Sequence, residues 1–329
     1  MCNNTFANGP EERMRVCILI EDGYHDFDTE YYLKDHPSTK VIMEPPVKET
    51  LHSISSGDWF DVYLNLCEGY DAWYYTGIEV VRALEALNLP FTGADSRFYN
   101  PSREKMQSAG DSVDVRFVQG VNVSDVGEED AAADELGFPL MVKHPNSYGS
   151  IGMTRKSRVE NVQQLKQQVR RMCKNFGGAR VEEFIEGREF TTFIVDNPDD
   201  LSDPFVYPPA EITFPRGETF LHSQVKWQEY VYLKRVVDQG LAARLREMTR
   251  KVYGALNGVG YARCDFRMNG QGELFMLEIN PNSGILYEPR DIGHADIMME
   301  YDADGHDGFL DRIFRSAILH QKERELNAR

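Results

Sequence analysis

Basic residues are in short supply along this chain. Lys and Arg number 36 against 53 Asp and Glu, a formal net charge of −17 over 329 residues. A nucleic-acid backbone or an anionic membrane would want a basic surface, so this balance excludes both as partners. Cysteine is sparse too, with five residues at 2, 17, 67, 173 and 264. The number is odd and no pair has Cys-x-x-Cys spacing, which argues against a disulfide framework or a zinc site and fits a reducing compartment. No apolar run approaches the ~20 residues needed to cross a bilayer, and Met1 to Glu12 is polar, without the hydrophobic core of a secretory signal. The expectation is a soluble, cytoplasmic protein. Neither a Gly-x4-Gly-Lys-Ser/Thr loop nor a Gly-x-Gly-x-x-Gly fingerprint occurs, so two familiar phosphate-binding motifs are absent. Internal repeats and low-complexity tracts are lacking as well.

The length exceeds one typical core, and two or three packed units are expected. After a polar leader over 1–13, Arg15 to Ile20 is a near-continuous apolar run suited to a buried parallel strand. Val41 to Met43 and Phe60 to Leu66 read as further strands, and Gly77 to Leu87 carries helical spacing. Strand and helix in alternation predict an α/β domain over 14–98. A second unit over 99–185 contains a helix from Ser102 to Gly110, strand-like Val113 to Val118, a helix from Asp130 and a strand ending at Lys143. A long amphipathic helix from Val159 to Phe176 and a strand over Val181–Ile185 complete it. The third unit, 186–329, holds strands, helices over Leu241–Leu256 and Phe309–Glu325, and one unusual hairpin.

That hairpin runs from Tyr261-Ala262-Arg263-Cys264-Asp265-Phe266 through Asn269-Gly270-Gln271-Gly272 to Phe275-Met276-Leu277-Glu278-Ile279-Asn280-Pro281. Glu278 and Asn280 share one face because side chains alternate along a strand. A loop of two or four residues would place Arg263 and Asp265 on that same face. Like charges about 4 Å apart repel by roughly 4 kcal/mol at an effective dielectric near 20, so the cluster calls for a cation. Oxygen-only ligands suit Mg²⁺ better than zinc. An ordinary solvated face is the competing reading.

Three other features are weaker taken alone. Lys143-His144-Pro145-Asn146-Ser147-Tyr148-Gly149-Ser150-Ile151-Gly152 ends a strand in a lysine and continues into a loop of small residues, a combination suited to phosphate; it is also what an ordinary hairpin turn looks like. Val181-Glu182-Glu183-Phe184-Ile185-Glu186-Gly187-Arg188-Glu189 interleaves apolar residues with carboxylates that could frame a purine and its ribose, or could be an edge strand. His294, Asp296, Asp302, Asp304, His306 and Asp307 suggest a metal loop. Asp307 stands where an EF-hand needs glycine, and a solvated acidic loop is the better reading.

In this order the segments resemble the ATP-grasp carboxylate–amine ligases, and within them the D-alanine–D-alanine ligase family, from about residue 60 to 320. The resemblance implies an ATP-grasp fold, with the N-terminal α/β domain followed by two α+β subdomains that clamp ATP. It assigns Lys105 and Lys143 as ATP lysines and Gly149, Ser150, Ile151 and Gly152 to a loop closing over the phosphates. Glu182, Glu183, Phe184 and Ile185 fall on the hinge strand beside adenine, Glu189 on the ribose and Lys226 on phosphate. Asp265, Glu278 and Asn280 match ligands of two Mg²⁺ ions, for which Mn²⁺ can substitute. Arg263 matches the arginine beside the reacting phosphate, and Arg263 with backbone N–H groups near Gly284 would stabilise the oxyanion. The implied reaction phosphorylates a carboxylate from ATP to an acyl phosphate, which an amine then attacks. The family commonly forms homodimers.

The chain departs from the family where substrates are read. Glu21-Asp22-Gly23-Tyr24-His25-Asp26 replaces a Gly-Gly-x-Ser-x-Glu loop, Asn65-Leu66-Cys67-Glu68-Gly69 lacks the family histidine, and Trp227 stands for a tyrosine. Ile285-Leu286-Tyr287-Glu288-Pro289-Arg290 replaces the Ser-Leu pair that reads the acceptor carboxylate. Glu68 or Glu288 reading an amine, with Arg290 as a carboxylate clamp, is one arrangement; a surface pair of Arg290 with Glu288 or Asp291 is the other. The leading expectation is a ligase joining a small carboxylate and an amine other than two D-alanines. Authentic D-alanine–D-alanine ligase activity and a nucleotide-binding regulatory protein without turnover are the alternatives.

Overall fold

The computed structural model describes residues 13–21, 29–34, 36–69, 77–125, 127–146, 149–228, 232–281, 283–290 and 292–327, with the side chains of 226–228 outside that description. The first unit contains β1 (Val16–Glu21), α1 (Thr29–Leu33), β2 (Ser38–Met43), α2 (Val47–Gly57), β3 (Val62–Asn65) and α3 (Ile78–Ala86). β1 lies between β2 and β3, parallel to both. All six residues of β1 are buried, as a parallel strand covered on both faces requires. Its carboxyl end delivers Glu21, and that of β3 leads to Glu68.

α4 (Arg103–Ser112) opens the next stretch, with the Ser102 side chain accepting from the Lys105 amide at 3.2 Å as its N-cap. β4 (Gly120–Val123), α5 (Glu129–Leu136), β5 (Leu140–Lys143), β6 (Arg158–Val159), α6 (Val162–Phe176) and β7 (Ala179–Glu183) follow. Their sheet has the order β4-β7-β5-β6, antiparallel throughout. The strand expected over Val113–Val118 is displaced to 120–123, because Phe117 bridges to Met276 and hydrogen bonds from Val118 and Met276 hold this stretch against the third unit. Val159 likewise belongs to β6 rather than to the long helix, which starts after its N-cap Asn161.

The third unit holds β8 (Arg188–Val195), β9 (Phe205–Val206), β10 (Ala210–Thr213), α7 (Ser223–Gln228), β11 (Tyr232–Arg235), α8 (Gln239–Ala255), β12 (Tyr261–Met268), β13 (Leu274–Pro281), α9 (His294–Glu300) and α10 (Gly305–Asn327). Its sheet runs β11-β10-β8-β12-β13, with β9 on β8. Met106 and Ala109 of α4 and Phe117 pack into the core of this sheet with Leu245 of α8 and Phe266, so 103–117 packs with the third unit although the sequence groups it with the second. Phe309 and Phe314 of α10 share another core with Ile18 and Leu64 of the first sheet, tying the two ends of the chain together. Among the described residues no helix is long and apolar enough to cross a membrane, and Cys17, Cys67, Cys173 and Cys264 are free thiols.

Candidate active site

The hairpin of β12 and β13 is joined by residues 269–273, an odd loop that in a regular ladder would set Asp265 and Glu278 on opposite faces. A bulge between Asp265 and Phe266 corrects this: Phe266 pairs with Met276, Leu277 is skipped, and Asp265 stands directly opposite Glu278. Arg263 stands opposite Asn280. The face predicted from alternation therefore exists, through a bulge that alternation alone does not reveal.

Each carboxylate on that face is held by arginine. Arg263 donates to both oxygens of Asp265, at 3.1 and 2.9 Å, and Thr191 on β8 adds a hydroxyl at 2.8 Å. Glu278 takes Arg103 Nη2 at 2.5 Å, while Nη1 of the same guanidinium donates to the Leu277 carbonyl at 3.2 Å. Arg103 is the first residue of α4, only 6% of its side chain is exposed, and the N-cap at Ser102 fixes its approach. Asp265 and Asn280 are both buried. Among the described residues no cluster of three or more His, Cys, Asp or Glu side chains forms. Two carboxylates and a carboxamide are nonetheless an oxygen-only set that fits Mg²⁺ with part of its coordination left for phosphate oxygens and water.

The facing wall comes from the second unit. Lys143, at the end of β5, places Nζ 2.7 Å from Glu182 on β7, and Arg180 Nε lies 3.3 Å from the same carboxylate. Burial opposes charge on Glu182, yet Lys143, Arg103 and Arg180 outweigh it and hold the carboxyl below its usual range. Behind them Met141, Phe184 and Phe220 form a small apolar cluster with Met153 against it. The Phe184 ring lies beneath Arg267 at 4.6 Å and Arg158 at 4.8 Å. Glu189, at the start of β8, lies 3.3 Å from Arg267 Nη1. Burial pushes the Glu189 carboxyl up to about 7, with Arg267 pulling it down and Asp265 adding to the rise.

Most of these groups line one cavity between the four-stranded and six-stranded sheets; Asn280, Thr191, Arg158 and Arg180 are not among its lining residues. Of the residues expected there, Lys143, Gly149, Ser150, Ile151, Glu182, Glu183, Phe184, Ile185, Glu189, Arg263, Asp265 and Glu278 border it. Ser150 adopts a positive φ of 60° and donates to the Leu221 carbonyl, while its own carbonyl accepts from Ser223, so the loop is tied to the third unit. Gly152, at φ 70°, packs on Phe176, where a β-carbon would come 2.6 Å from the ring.

Several expected residues stand elsewhere. Lys105 is exposed and donates to the Arg97 carbonyl at 3.2 Å; Arg103, two residues earlier, occupies the cavity in its place. Arg290 pairs with Glu288 at 2.8 Å with 88% of its side chain exposed, the surface pair rather than the clamp. Glu68 lies at the end of β3, where its amide donates to Glu21 Oε1. The backbone of Lys226 and Trp227 lies on α7, but their side chains, like Ser147 and Tyr148, are outside the described residues. The acidic stretch before the last helix is not a solvated loop throughout: Asp296 is fully buried and His294 borders the cavity. Asp296 is drawn inside by hydrogen bonds from three backbone amides, which offset the cost of removing a carboxylate from water.

Arg103 and Arg267 were missed by sequence reasoning, and His294 was named only within the acidic stretch read as a solvated loop. Arg267 carried a usable signal, since it continues the alternation of Arg263 and Asp265 along β12. Arg103 carried a fainter one, the N-cap that places it at a helix start. Nothing in the sequence around His294 placed it at the cavity.

The family described as D-ala D-ala ligase C-terminus matches residues 116–287. A D-alanine–D-alanine ligase of Aquifex aeolicus is 29% identical over 211 residues, covering 61% of this chain and 66% of that protein. One of Xanthomonas axonopodis pv. citri is 27% identical over 236 residues, covering 69% and 70%. The match thus spans about two thirds of these relatives' length. Among solved structures, the D-alanine–D-alanine ligase of Bacillus anthracis complexed with ATP aligns at TM-score 0.71 and 17% identity over 95% of this chain and 99% of that one. That of Coxiella burnetii aligns at 0.70 and 16%, over 96% and 97%. These structural likenesses show the ATP-grasp fold, an α/β domain followed by two sheets that face one another. With the family model covering just over half of its 329 residues, this chain belongs to the D-ala D-ala ligase C-terminus family.

Proposed function

We propose that the chain is an ATP-dependent ligase that joins a carboxylate to an amine, with release of ADP and phosphate. The observation that carries this reading is the convergence in one cavity of Lys143, Arg103 and Arg263 with the opposed pair Asp265 and Glu278, next to an apolar slot at Met141, Phe184 and Phe220. The apolar character of the slot suits a planar base, and Glu189, which borders the same cavity, would accept from a ribose hydroxyl. Lys143, Arg103 and Arg263 border the same cavity and would neutralise a polyphosphate. Asp265, Glu278 and Asn280 would hold Mg²⁺, which supplies charge neutralisation on phosphate oxygens. Arg263, fixed by its bonds to Asp265, would serve as a preformed donor to the transferring group. The loop at 149–152 stands at the cavity mouth, and its closure would exclude water from an acyl phosphate.

Of the substrate readings, the relatives' names favour two D-alanines over an unrelated pair. The rewritten stretch from Ile285 to Arg290, which lacks the Ser-Leu pair, favours the second reading, a different amine acceptor, although Arg290 itself pairs on the surface and gives it no clamp. ADP release measured with ATP, Mg²⁺ and D-alanine as sole amino acid separates them. Release with a product of dipeptide mass supports the first. Silence with D-alanine but release with another amino-acid pair supports the second, and no release above background with any pool would leave a nucleotide-binding protein without turnover.

A further inference from the structure

The ten residues after Gly284 begin five positions beyond Asn280 and end at His294, which borders the same cavity as Arg263 and Glu278. The far end of this loop therefore reaches the cavity that holds the phosphate-facing cluster. The described residues between Gly284 and His294 lie in no helix or strand. What holds the loop is Asp296, whose side chain is fully buried on α9.

Asp296 Oδ1 accepts from the Leu286 amide at 2.8 Å and lies 3.1 Å from His306 Nε2. Oδ2 accepts from the amides of Gly293 at 3.2 Å and Tyr287 at 3.4 Å. The bond to Gly293 alone would be an ordinary reciprocal cap of α9. Those to Leu286 and Tyr287 reach ten and nine residues back and belong to no cap. Leu286 has a positive φ of 60°, a conformation costly for a non-glycine residue that persists only where surroundings impose it. On the other side, the Tyr32 hydroxyl of α1 donates to the Tyr287 carbonyl at 2.9 Å, and the Tyr32 ring stacks on His306 at 4.4 Å. Tyr287 is thereby packed between two glycines. A β-carbon at Gly284 would come 2.0 Å from its hydroxyl, and one at Gly293 would come 2.8 Å from its ring.

We infer that Asp296 is a positioning residue for the substrate-reading loop, and that through Leu286 and Tyr287 it sets the Tyr287 side chain against Gly284 as a wall of the acceptor site. Tyr32 extends the same assembly to the N-terminal sheet unit, so acceptor recognition and the seating of that unit depend on each other. The inference rests on the ligase reading for what the loop recognises, and on hydrogen bonds alone for how the loop is held.

Asp296→Asn is the isosteric test. Every backbone partner donates, so an amide nitrogen on either side of the carboxamide faces a donor and cannot replace the lost acceptor. In the full chain, the amides of Leu286, Tyr287 and Gly293 are expected to exchange with deuterium about tenfold faster or more, while those of β12 and β13 stay within about twofold. The KM for D-alanine, or for whichever amino acid drives ADP release, should rise about tenfold with that for ATP within about twofold. Tyr32→Phe, which keeps the ring stack, should raise the amino-acid KM in the same direction by less. Unchanged exchange in Asp296→Asn overturns the positioning role. Faster exchange with an unchanged amino-acid KM overturns the assignment of this loop to the acceptor. Wild-type protein that releases no ADP with any amino acid instead contradicts the ligase reading, and the exchange measurement then decides the positioning role by itself.

Discussion

Glu21 shows how a single side chain can set a pH dependence. It is 3% exposed at the carboxyl end of β1, one oxygen accepts from the Glu68 amide, and the other has no partner among the described residues. Burial raises its carboxyl to about 7, with the amide of Glu68 pulling the other way. The folded state thus holds this proton more tightly than the unfolded chain does. The associated stability is complete below about pH 4.5 and is lost as pH rises to about 7. Glu21→Gln cannot ionise and should escape that loss, gaining on the order of 2 kcal/mol relative to wild type at pH 8 compared with pH 4.5. Thermal unfolding at the two pH values measures it, and an equal difference at both would show that Glu21 ionises freely.

At the scale of elements, the turn between β7 and β8 joins the two walls of the cavity and depends on Gly187. Its φ is 138°, and a β-carbon there would lie 2.1 Å from the Met268 carbonyl oxygen. Gly187→Ala should cost about 1–3 kcal/mol through backbone strain and the forced shift of the hairpin. A lowered melting temperature accompanied by weaker ATP binding is expected, and an unchanged melting temperature would mean that the turn yields freely. The strands and helices around this turn were largely legible, because β1, β12 and α6 carry strong periodicity or apolar runs. The bulge after Asp265 was not, since it depends on how Phe117 and Val118 dock beside Met276. For the same reason 113–118 looked like a strand of its own: its apolar residues are buried, but against another unit. Lys105 and Arg103 stand two apart at a helix start, where one turn sends neighbouring side chains in different directions, and Arg103 is the one that borders the cavity. Asp296 looked like one more surface carboxylate because the amides that draw it inside lie up to ten residues away.

The whole molecule is closed by α10, which packs against the first sheet and reaches the third unit through His320. Its Nε2 lies 2.7 Å from Asp196, which also accepts from the Tyr253 hydroxyl and the Gly260 amide at 2.7 Å each. Burial opposes charge on His320, but its bonds to Asp196 and Glu323 outweigh it and raise the imidazole above its usual value. The stability this gives is complete below about pH 6.5 and is lost as pH rises through the folded value. His320→Gln should therefore destabilise the protein more at pH 6 than at pH 9, by about 1–2 kcal/mol, and equal losses at both would show a neutral imidazole throughout.

The cavity between the two sheets is the centre of the functional reading, and binding of nucleotide there can be measured without knowing the amino-acid substrate. Titration calorimetry of ATP with Mg²⁺ into wild-type protein and into Lys143→Ala tests it directly. One nucleotide bound per chain, with affinity falling about tenfold or more in Lys143→Ala and binding weakened when Mg²⁺ is withheld, is expected. Equal affinity in both proteins, or no binding of ATP to wild type, would contradict it.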